Sequence, residues 1–421
     1  MEIYKTKSSL ICIIISVLAV VSILSALWLR SLAEERPAKP YYPKLEFAIS
    51  MLNLLQKNKP NENVFYSPKS VYQALLLTYF GAGGKTEKEL ENVLGLMKWA
   101  KNKTDIENAY KLEKDAQAKP YQNASVEFIS VDKLYFSDRV NIKDSAKNLL
   151  NENIERLNFF TEPAQSVDHI NQFVENITKN NIKDILQLDA DTMNIQVAII
   201  NAVYFKGDWV SEFKKSNTYR AKFYKHGVEE TYVDMMHRLG HFKYGFIEHL
   251  DTAVLRMPYK GENFSMYIFL PDNSRTAIDE LLEELTPTIL DDVFNGTVET
   301  WETRVSVSFP KFSFEQTSKL EQAVQRMGIQ SFSDKTANFS GFFESTLSEG
   351  YEVKMFHKAK IEVDESGSTA AAATAMISYP CSMAYRPLTP VEFNCDHPFL
   401  FVIHDEQFDE ILFAGIYRGP N

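Results

Sequence analysis

Apolar residues recur along this chain at two different spacings, which predicts that helices and strands both contribute to the core. Ser67 and Pro68 form the pattern of an N-cap followed by proline at the first helical position. The apolar face that follows at helical spacing consists of Val71, Ala74, Leu75, Thr78 and Tyr79. Residues 86–89, Thr-Glu-Lys-Glu, have the spacing of a capping box and predict that a second helix opens there.

Three further segments have the periodicity of strands. Residues 197–205 form a nearly unbroken apolar run, which is typical of a central buried strand. Residues 304–309 alternate polar with apolar side chains, which predicts a strand with Ser306 and Ser308 on a solvent-exposed face. Residues 264–270 predict another strand. Because helices and strands do not alternate regularly, the pattern favours an α+β fold.

The first 33 residues predict a targeting segment. Lys5 and Lys7 precede an apolar run from Leu10 to Leu29, which would reach ~30 Å as a helix at ~1.5 Å per residue, about the thickness of a bilayer core. Residues 31–33, Ser-Leu-Ala, suit a signal-peptide cleavage site. Two interpretations remain, a signal peptide of residues 1–33 or an uncleaved membrane anchor through residues 10–29. Both export the rest of the chain.

The remainder of the chain predicts a single large domain at residues 44–421, after a short tail at residues 34–43, because no repeat, linker or shift in composition divides it. Acidic residues, 56 Asp and Glu, outnumber 45 Lys and Arg, giving a net charge of -11. Without a long basic tract, nucleic acid is excluded as an expected partner. With 3 cysteines in all, hydrophobic packing must replace a disulfide framework.

Glycosylation sequons agree with export, although the motif is common by chance. They start at Asn102, Asn123, Asn176, Asn263, Asn295 and Asn338. Asn263 and Asn338 lie in motifs near packed strands, so we expect glycosylation at the other four: Asn102, Asn123, Asn176 and Asn295.

The chain lacks the signatures of catalytic and metal sites. Residues 81–86 superficially suggest a phosphate loop, but the position where that motif needs its first glycine is Tyr79. His237 and His241 are four apart, yet Gly240 disfavours a helix and no Glu follows His237, so a zinc motif is not expected. No Gly-x-Ser-x-Gly elbow exposes a nucleophilic serine. We expect a protein that is not an enzyme and that holds no metal or cofactor.

A run of small residues near the C-terminus is the most informative segment. A strand with Ile361 and Val363 on one face leads into Glu365-Ser366-Gly367 and then into residues 368–375. At strand period two, one face of this run consists of Ser368, Ala370, Ala372 and Thr374. A face of such small side chains can enter a sheet without overpacking the core beneath it. The pattern predicts a spare strand held outside a sheet.

Together with motifs elsewhere in the chain, this segment resembles the serpins, and the resemblance extends over nearly all of residues 44–421. The segments that carry the resemblance are residues 63–68, 81–86, 201–209, 337–341, 365–374, 393–403 and 413–415. Departures are few: Phe173 stands where the family often has Trp, and Asp364 where Asn is common. The resemblance implies an α+β serpin fold of three β-sheets with about nine α-helices. It also implies an exposed reactive-centre loop at about residues 365–390.

The resemblance further implies a function as a suicide-substrate inhibitor. A serine protease would cleave the loop, form an acyl-enzyme with it and be trapped when the loop inserts into the main sheet. The hinge residues that it implies are Glu365, Gly367, Ser368, Thr369, Ala370, Ala371, Ala372, Ala373 and Thr374. It implies a polar shutter beneath the opening strands at Ser67, Ser70, Asn201 and His357, and it places Trp209 where insertion begins.

The reactive bond follows from counting along the loop. As in typical inhibitory members, 14 positions beyond Gly367 reach Cys381, so we expect cleavage between Cys381 and Ser382. A medium-sized cysteine suits chymotrypsin-like or elastase-like pockets better than trypsin-like ones. The bonds after Met383 and Tyr385 are alternatives. Cys381 and Cys395 are the two cysteines left after signal removal, and they are either free thiols or a redox-sensitive bridge.

Two alternatives compete with this interpretation. One is a non-inhibitory serpin that acts as carrier, storage protein or chaperone, although residues 368–375 lack the bulky, charged or proline side chains typical of such hinges. The other is polyanion control through Lys98, Lys101, Lys103, Lys111 and Lys114, against which interleaved acidic residues favour a solvated helix face. The prediction is a secreted, monomeric glycoprotein that binds an extracellular serine protease covalently.

Overall fold

Two hydrogen-bonded sheets and the helices packed on them form the described part of this protein, in a computed structural model. The structure describes residues 41–117, 126–189, 192, 195–225, 229–261, 263–272, 276–296, 298, 301–344, 350–367 and 389–420. Among these residues no helix combines the length and the apolar character needed to cross a bilayer. The predicted targeting segment, residues 1–33, lies outside the described residues.

The described residues contain ten α-helices. They are α1 (Tyr41–Asn58), α2 (Pro68–Gly81), α3 (Gly84–Val93), α4 (Lys103–Gln117), α5 (Asp144–Leu150), α6 (Pro163–Ile177), α7 (Ala277–Glu284), α8 (Pro287–Phe294), α9 (Glu321–Met327) and α10 (Gln330–Ser333). The predicted start of α2 is confirmed, because Ser67 caps this helix and its hydroxyl oxygen accepts a hydrogen bond from the Ser70 N–H.

The strands follow the same mixed order along the chain. They are β1 (Val64–Tyr66), β2 (Val126–Ser137), β3 (Ile154–Leu157), β4 (Val197–Gly207), β5 (Thr218–Lys225), β6 (Glu229–Ile247), β7 (Thr252–Pro258), β8 (Phe264–Pro271), β9 (Trp301–Pro310), β10 (Phe312–Lys319), β11 (Val353–Val363), β12 (Val391–Asn394), β13 (Phe399–Asp405) and β14 (Glu410–Tyr417).

The larger sheet has the order β1-β14-β13-β8-β7-β6-β9-β12, with β5 paired to β6. The long strand β6 pairs with β5 through its first half and with β7 through its last residues. The described strands therefore form two sheets, where the resemblance implied three, because β6 pairs with β5, β7 and β9 in one sheet.

The smaller sheet has the order β10-β11-β4-β2-β3 and places the residues of functional interest. Its two faces pack against different layers. Ala198, Ile200 and Ala202 of β4 pack on one side with residues of α6, including Ile170. Val203 of β4 packs on the other side in a core that the two sheets share. The predicted central strand at residues 197–205 is confirmed as β4, which is buried nearly throughout.

Two local predictions are wrong. The helix expected to open at Thr86 begins at Gly84, because the Thr86 hydroxyl is buried and accepts a hydrogen bond from the Asn338 N–H instead of capping. Ser306 and Ser308 were expected to face solvent but are only 8% exposed. Strands β6 and β12 flank β9 and cover these serines.

Candidate functional site

A parallel pair of strands in the middle of the smaller sheet forms the frame of the site. Strands β4 and β11 run parallel, while their outer neighbours β2 and β10 pair with them antiparallel. We call the ladder between β4 and β11 the seam. Side chains of residues directly opposite each other share a face of the sheet. His357 of β11 lies opposite Asn201 of β4, and Asn201 lies opposite Asp132 of β2, so these three form one row.

The His357 side chain is the first member of a hydrogen-bonded group that crosses the seam. The Ser67 N–H donates to His357 Nε2 at 3.2 Å. This leaves the proton of a neutral imidazole on Nδ1, from which it is donated to Asn201 Oδ1. Ser67, Asn201 and His357 are all 0% exposed. The contact therefore ties β4, β11 and the N-terminus of α2 together beneath the sheet.

The other end of the group surrounds the Asp132 carboxylate. The Ser70 hydroxyl donates to Asp132 Oδ1 at 2.7 Å, and the Ser130 hydroxyl donates to Oδ2 at 3.0 Å. Asn201 Nδ2 donates both to Asp132 Oδ1 and to the Ser70 hydroxyl. We call Ser67, Ser70, Ser130, Asp132, Asn201 and His357 together the seam cluster.

Burial drives the ionisation of this cluster towards neutral groups. It lowers the pKa of His357 to about 3, so the imidazole is uncharged at neutral pH. Loss of hydration raises the pKa of Asp132 to about 6, while hydrogen bonds from Ser70, Ser130 and Asn201 oppose the rise. The first proton that the cluster takes up on acidification therefore goes to Asp132.

A second group of contacts holds the turn that follows β11. Glu365 is 5% exposed, and its carboxylate accepts from Lys311 Nζ at 2.9 Å and from the Thr218 hydroxyl at 2.8 Å. Burial alone would raise the pKa of Glu365, but these hydrogen bonds outweigh it and lower the pKa below its ordinary value. Phe213 N–H donates to the Glu365 carbonyl at 2.8 Å. The turn is therefore fixed through both side chain and backbone.

Trp209 anchors the same turn from the end of β4. Its backbone N–H donates to the Ser366 carbonyl at 2.9 Å, and its indole Nε1 donates to the Asp364 carbonyl at 3.1 Å. The indole stacks on Tyr259 with 4.3 Å between ring centroids. Gly367 has φ +102° and a Cβ there would lie 2.3 Å from the Trp209 nitrogen. Only glycine fits this close approach.

The structure brings together part of the predicted site. The four predicted shutter residues lie in one cluster, and Glu365, Gly367 and Trp209 lie in one turn at the end of the seam. The predictions that fall outside the described residues are Ser368 to Thr374 of the hinge, the Cys381–Ser382 bond and Asn123. Asn102, Asn176 and Asn295 are exposed, as glycosylation requires.

Four polar partners in these groups lie in no sequence motif and were not predicted: Ser130, Asp132, Thr218 and Lys311. Ser130 and Asp132 alternate at strand period in β2, which was the available signal, but only the register with β4 brings them to Asn201. Lys311 and Thr218 come from distant parts of the chain, and no local pattern links either residue to Glu365.

Three other kinds of site were considered from the sequence: a metal site, a polyanion site and a redox-sensitive cysteine bridge. Among the described residues no group of three or more His, Cys, Asp or Glu side chains is arranged to hold a metal ion. Lys98 pairs with Glu46, Lys103 with Glu87 and Lys114 with Glu152, which favours the solvated helix face over a polyanion site. Cys395 is a free thiol and is 0% exposed, and burial raises its pKa. These features favour the free-thiol alternative for Cys395, while Cys381 lies outside the described residues.

Comparison with known proteins decides the family. The sequence matches the family described as serpin (serine protease inhibitor) over residues 44–420. This chain is a serpin. Serine protease inhibitor 88Ea of Drosophila melanogaster is 37% identical over 396 residues, which are 90% of each chain. Human Serpin B4 is 30% identical over 390 residues, 89% of this serpin and 98% of the relative.

Solved structures agree with the predicted fold. Serpin48, described as a highly specific serpin of the insect Tenebrio molitor, superposes with a TM-score of 0.75 at 26% identity, covering 92% of this chain and 100% of that one. Uncleaved ovalbumin has a TM-score of 0.76 at 24% identity, covering 90% and 99%, and so shows the fold alone. Serpins are mostly protease inhibitors rather than enzymes, and suicide inhibition is general to the family.

Proposed function

We propose that this serpin is an exported suicide-substrate inhibitor that traps a chymotrypsin-like or elastase-like serine protease as a covalent complex. The observation that carries the proposal is the position of the hinge turn. Residues 364–367 follow the C-terminal end of β11 and are hydrogen-bonded to Trp209, which lies just after the C-terminal end of β4. The chain beyond Gly367 therefore starts at one end of the seam. A strand that entered there would lie between β4 and β11.

The direction of the strands favours such an insertion. Because β4 and β11 are parallel, a segment that reverses at Gly367 runs antiparallel to both. One parallel ladder would be replaced by two antiparallel ladders, which are slightly more stable per residue. The small residues Ser368, Ala370, Ala372 and Thr374 can occupy the face over the cluster without overpacking it. Insertion through Cys381 would carry the bound protease ~45 Å at ~3.3 Å per residue.

The protease supplies the chemistry and the serpin supplies the trap. The catalytic serine attacks the Cys381 carbonyl, the bond to Ser382 breaks, and the new amine of Ser382 leaves with the C-terminal fragment. An ester then joins the protease to Cys381. Insertion drags the protease against the body of the inhibitor and distorts its active site, so that water no longer cleaves the ester. The Cys381–Ser382 bond is the proposed site, with the bonds after Met383 and Tyr385 as alternatives.

Export supports an extracellular protease as the partner. The apolar segment at residues 10–29 acts as a signal peptide cleaved after Ala33, or as an anchor that leaves the inhibitor domain outside the cell. We propose glycosylation at Asn102, Asn123, Asn176 and Asn295, and a monomeric inhibitor. The hinge, shutter and reactive-bond residues that the resemblance implied keep those proposed roles.

The test uses the protein purified both from cells that express the full chain and from their medium, mixed with chymotrypsin, elastase and trypsin. We expect a complex stable on denaturing gels with chymotrypsin or elastase, and a released peptide whose mass begins at Ser382. Thr374→Arg places a charge on the inserting face and should convert the inhibitor into a cleaved substrate, while Thr374→Ala should still form the complex. The mass of the intact protein reports whether residues 1–33 are removed.

One outcome would revise the reactive bond, and another would reject the proposal. A peptide that begins at Ala384 or Arg386 would keep the mechanism and move the bond. Cleavage by every protease without a complex, together with no gain in heat stability of the cleaved protein, would reject insertion and favour the carrier alternative.

A further inference from the structure

We propose that Asp132 is a positioning residue that makes opening of the seam sensitive to acid. In its ionised form the carboxylate holds the Asn201 amide in the orientation that latches β4 to β11 through His357. Protonation of the carboxylate weakens the hydrogen bond between Asn201 and His357, which we call the latch. The consequence for loop insertion rests on the proposed function, whereas the latch itself does not.

The Asn201 side chain transmits the effect because its two ends differ. Its Nδ2 group faces the Asp132 carboxylate, and its Oδ1 faces the His357 Nδ1–H across the seam. A carboxylate accepts and never donates, so it selects the orientation that turns Oδ1 towards His357. The bond from Nδ2 is charge-assisted and therefore stronger than a bond between neutral groups. Asp132 thus fixes the partner that His357 needs on the opposite strand.

Protonation of the carboxylate conflicts with the donors around it. Oδ1 accepts from Ser70 and Asn201, and Oδ2 accepts from Ser130. A carboxylic acid must donate its own proton, so one serine hydroxyl has to turn round, or Asn201 loses its acceptor. The Ser70 and Ser130 hydroxyls are 2.9 Å apart, so they would reorient together. In each case the bond from Asn201 is lost or loses its charge assistance.

The groups around Asp132 leave its charge without an ion-pair partner in the described part of the chain. From α2, Lys69 is the nearby cation, but its ammonium pairs with Glu410 at 2.8 Å. From α4, Tyr110 has its pKa raised to about 12, first by burial and then by the charge of Asp132. Across the seam, His357 is neutral because burial lowers its pKa to about 3.

Two other neighbours complete the surroundings. Asn153, which precedes β3, donates to the backbone carbonyl of Asp132 at 2.8 Å rather than to its side chain. Lys133 follows Asp132 on β2, where successive side chains alternate between faces, and pairs with Glu155 at 2.6 Å. The carboxylate therefore depends on hydroxyl and amide donors alone, and its pKa is raised to about 6 by loss of hydration.

The free energy of unfolding cannot isolate the role of Asp132, because protonation of Asp132 and protonation of His357 change it in opposite directions as pH falls. The raised pKa of Asp132 means that the folded chain takes up a proton between about pH 6 and 4 that the unfolded chain does not, which favours folding as pH falls. The lowered pKa of His357 acts in the opposite direction. Below about pH 6.5 the unfolded chain takes up a proton that the folded chain does not, which disfavours folding. In the proposed opening, β11 separates from β4 while Asp132 keeps its contacts to Ser70, Ser130 and Asn201, so the carboxylate is not rehydrated and this linkage does not govern the seam. The exchange of the seam amides must therefore be observed directly.

The experiment measures hydrogen exchange of the backbone amides of β4 and β11 in the full secreted protein between pH 5 and 8, corrected for intrinsic rates. We expect exchange in the seam to rise about tenfold at pH 5, as for the weakening of one charge-assisted hydrogen bond. Asp132→Asn cannot titrate and should remove this dependence. The matched control Asp138→Asn, at an exposed position just after β2, should retain it.

A second variant keeps the proposal testable if Asp132→Asn does not fold. Ser130→Ala removes one donor to the carboxylate, which raises the pKa of Asp132 further. The midpoint of the exchange profile should then move to higher pH. A midpoint that stays in place, or seam exchange that is the same at pH 5 and 8, would overturn the role of Asp132.

A parallel measurement separates the latch from the proposed function. A synthetic peptide with the sequence of residues 368–381 is added to the same proteins, and its incorporation rate is followed at pH 5 and 8. Faster incorporation at pH 5 in the wild type, but not in Asp132→Asn, supports both. Acid-dependent exchange without incorporation supports the latch and rejects insertion. Incorporation with pH-independent exchange supports insertion and rejects the latch.

Discussion

Ser130 and Asp132 lie two positions apart on β2. Both contact the Ser70 hydroxyl, and Asp132 also accepts a hydrogen bond from Asn201. The family resemblance implied Ser67, Ser70, Asn201 and His357, but no residue pattern implied the carboxylate among them. Its position depends on the register of β2 with β4, where Asp132 faces Asn201, and register is a property of two strands together. Single residues could therefore be predicted where a motif marked them, and not where tertiary pairing placed them.

At this scale we predict that His357→Ala destabilises the protein by about 3 kcal/mol at pH 7.5. The substitution leaves the Ser67 N–H and the Asn201 Oδ1 buried without their partner, at a cost of about 1–3 kcal/mol each. Denaturant unfolding measures the loss. His241→Ala, at an exposed position on β6, is the control and should change stability by less than about 0.5 kcal/mol.

The same variant should change how stability depends on pH. The pKa of His357 is about 3 in the folded protein and is ordinary in the unfolded chain, so its contribution is complete above about pH 6.5 and declines as pH falls towards 3. His357→Ala should remove that share of the decline. Equal losses in both histidine variants, or an unchanged pH profile, would contradict the burial of a neutral His357.

Among the secondary-structure elements, the long apolar runs were the most predictable. The strands at residues 197–205 and 264–270 and the helix after Ser67 appear where the sequence placed them. The errors came from tertiary contacts that replaced the local rule. The Asn338 N–H donates a hydrogen bond to the Thr86 hydroxyl, which would otherwise have capped α3. Strands β6 and β12 flank Ser306 and Ser308 and bury them. Local periodicity carries no information about either neighbour.

Helix α6 covers one face of the smaller sheet, and its packing should restrain the opening of the seam. Ile170 is 0% exposed and packs with residues of β4 in one cluster. Ile170→Ala should cost about 3 kcal/mol by leaving a cavity, and should speed incorporation of the 368–381 peptide because the cover is looser. Gln172→Ala, at an exposed position of α6, is the matched control. Slower or unchanged incorporation in Ile170→Ala would show that α6 does not restrain the sheet.

For the whole molecule, the α+β serpin fold was predictable because its motifs are spread along most of the chain. The hinge turn was predictable in sequence, but its anchoring by Lys311, Thr218 and Trp209 required the folded protein. The identity of the protease depends on how the loop fits a partner's pocket. A loop sequence indicates the size and polarity of that pocket and not the enzyme that carries it.

The central claim is that the seam between β4 and β11 opens to accept the cleaved loop. The most direct measurement is a crystal structure of this serpin after cleavage of the loop at a bond between residues 381 and 388. We predict that residues 368–381 form a strand between β4 and β11, and that the Cα atoms of Asn201 and His357 move from one strand spacing to about two, ~9.6 Å. A cleaved protein in which Asn201 still lies directly opposite His357, with residues 368–381 outside the sheet, would contradict it.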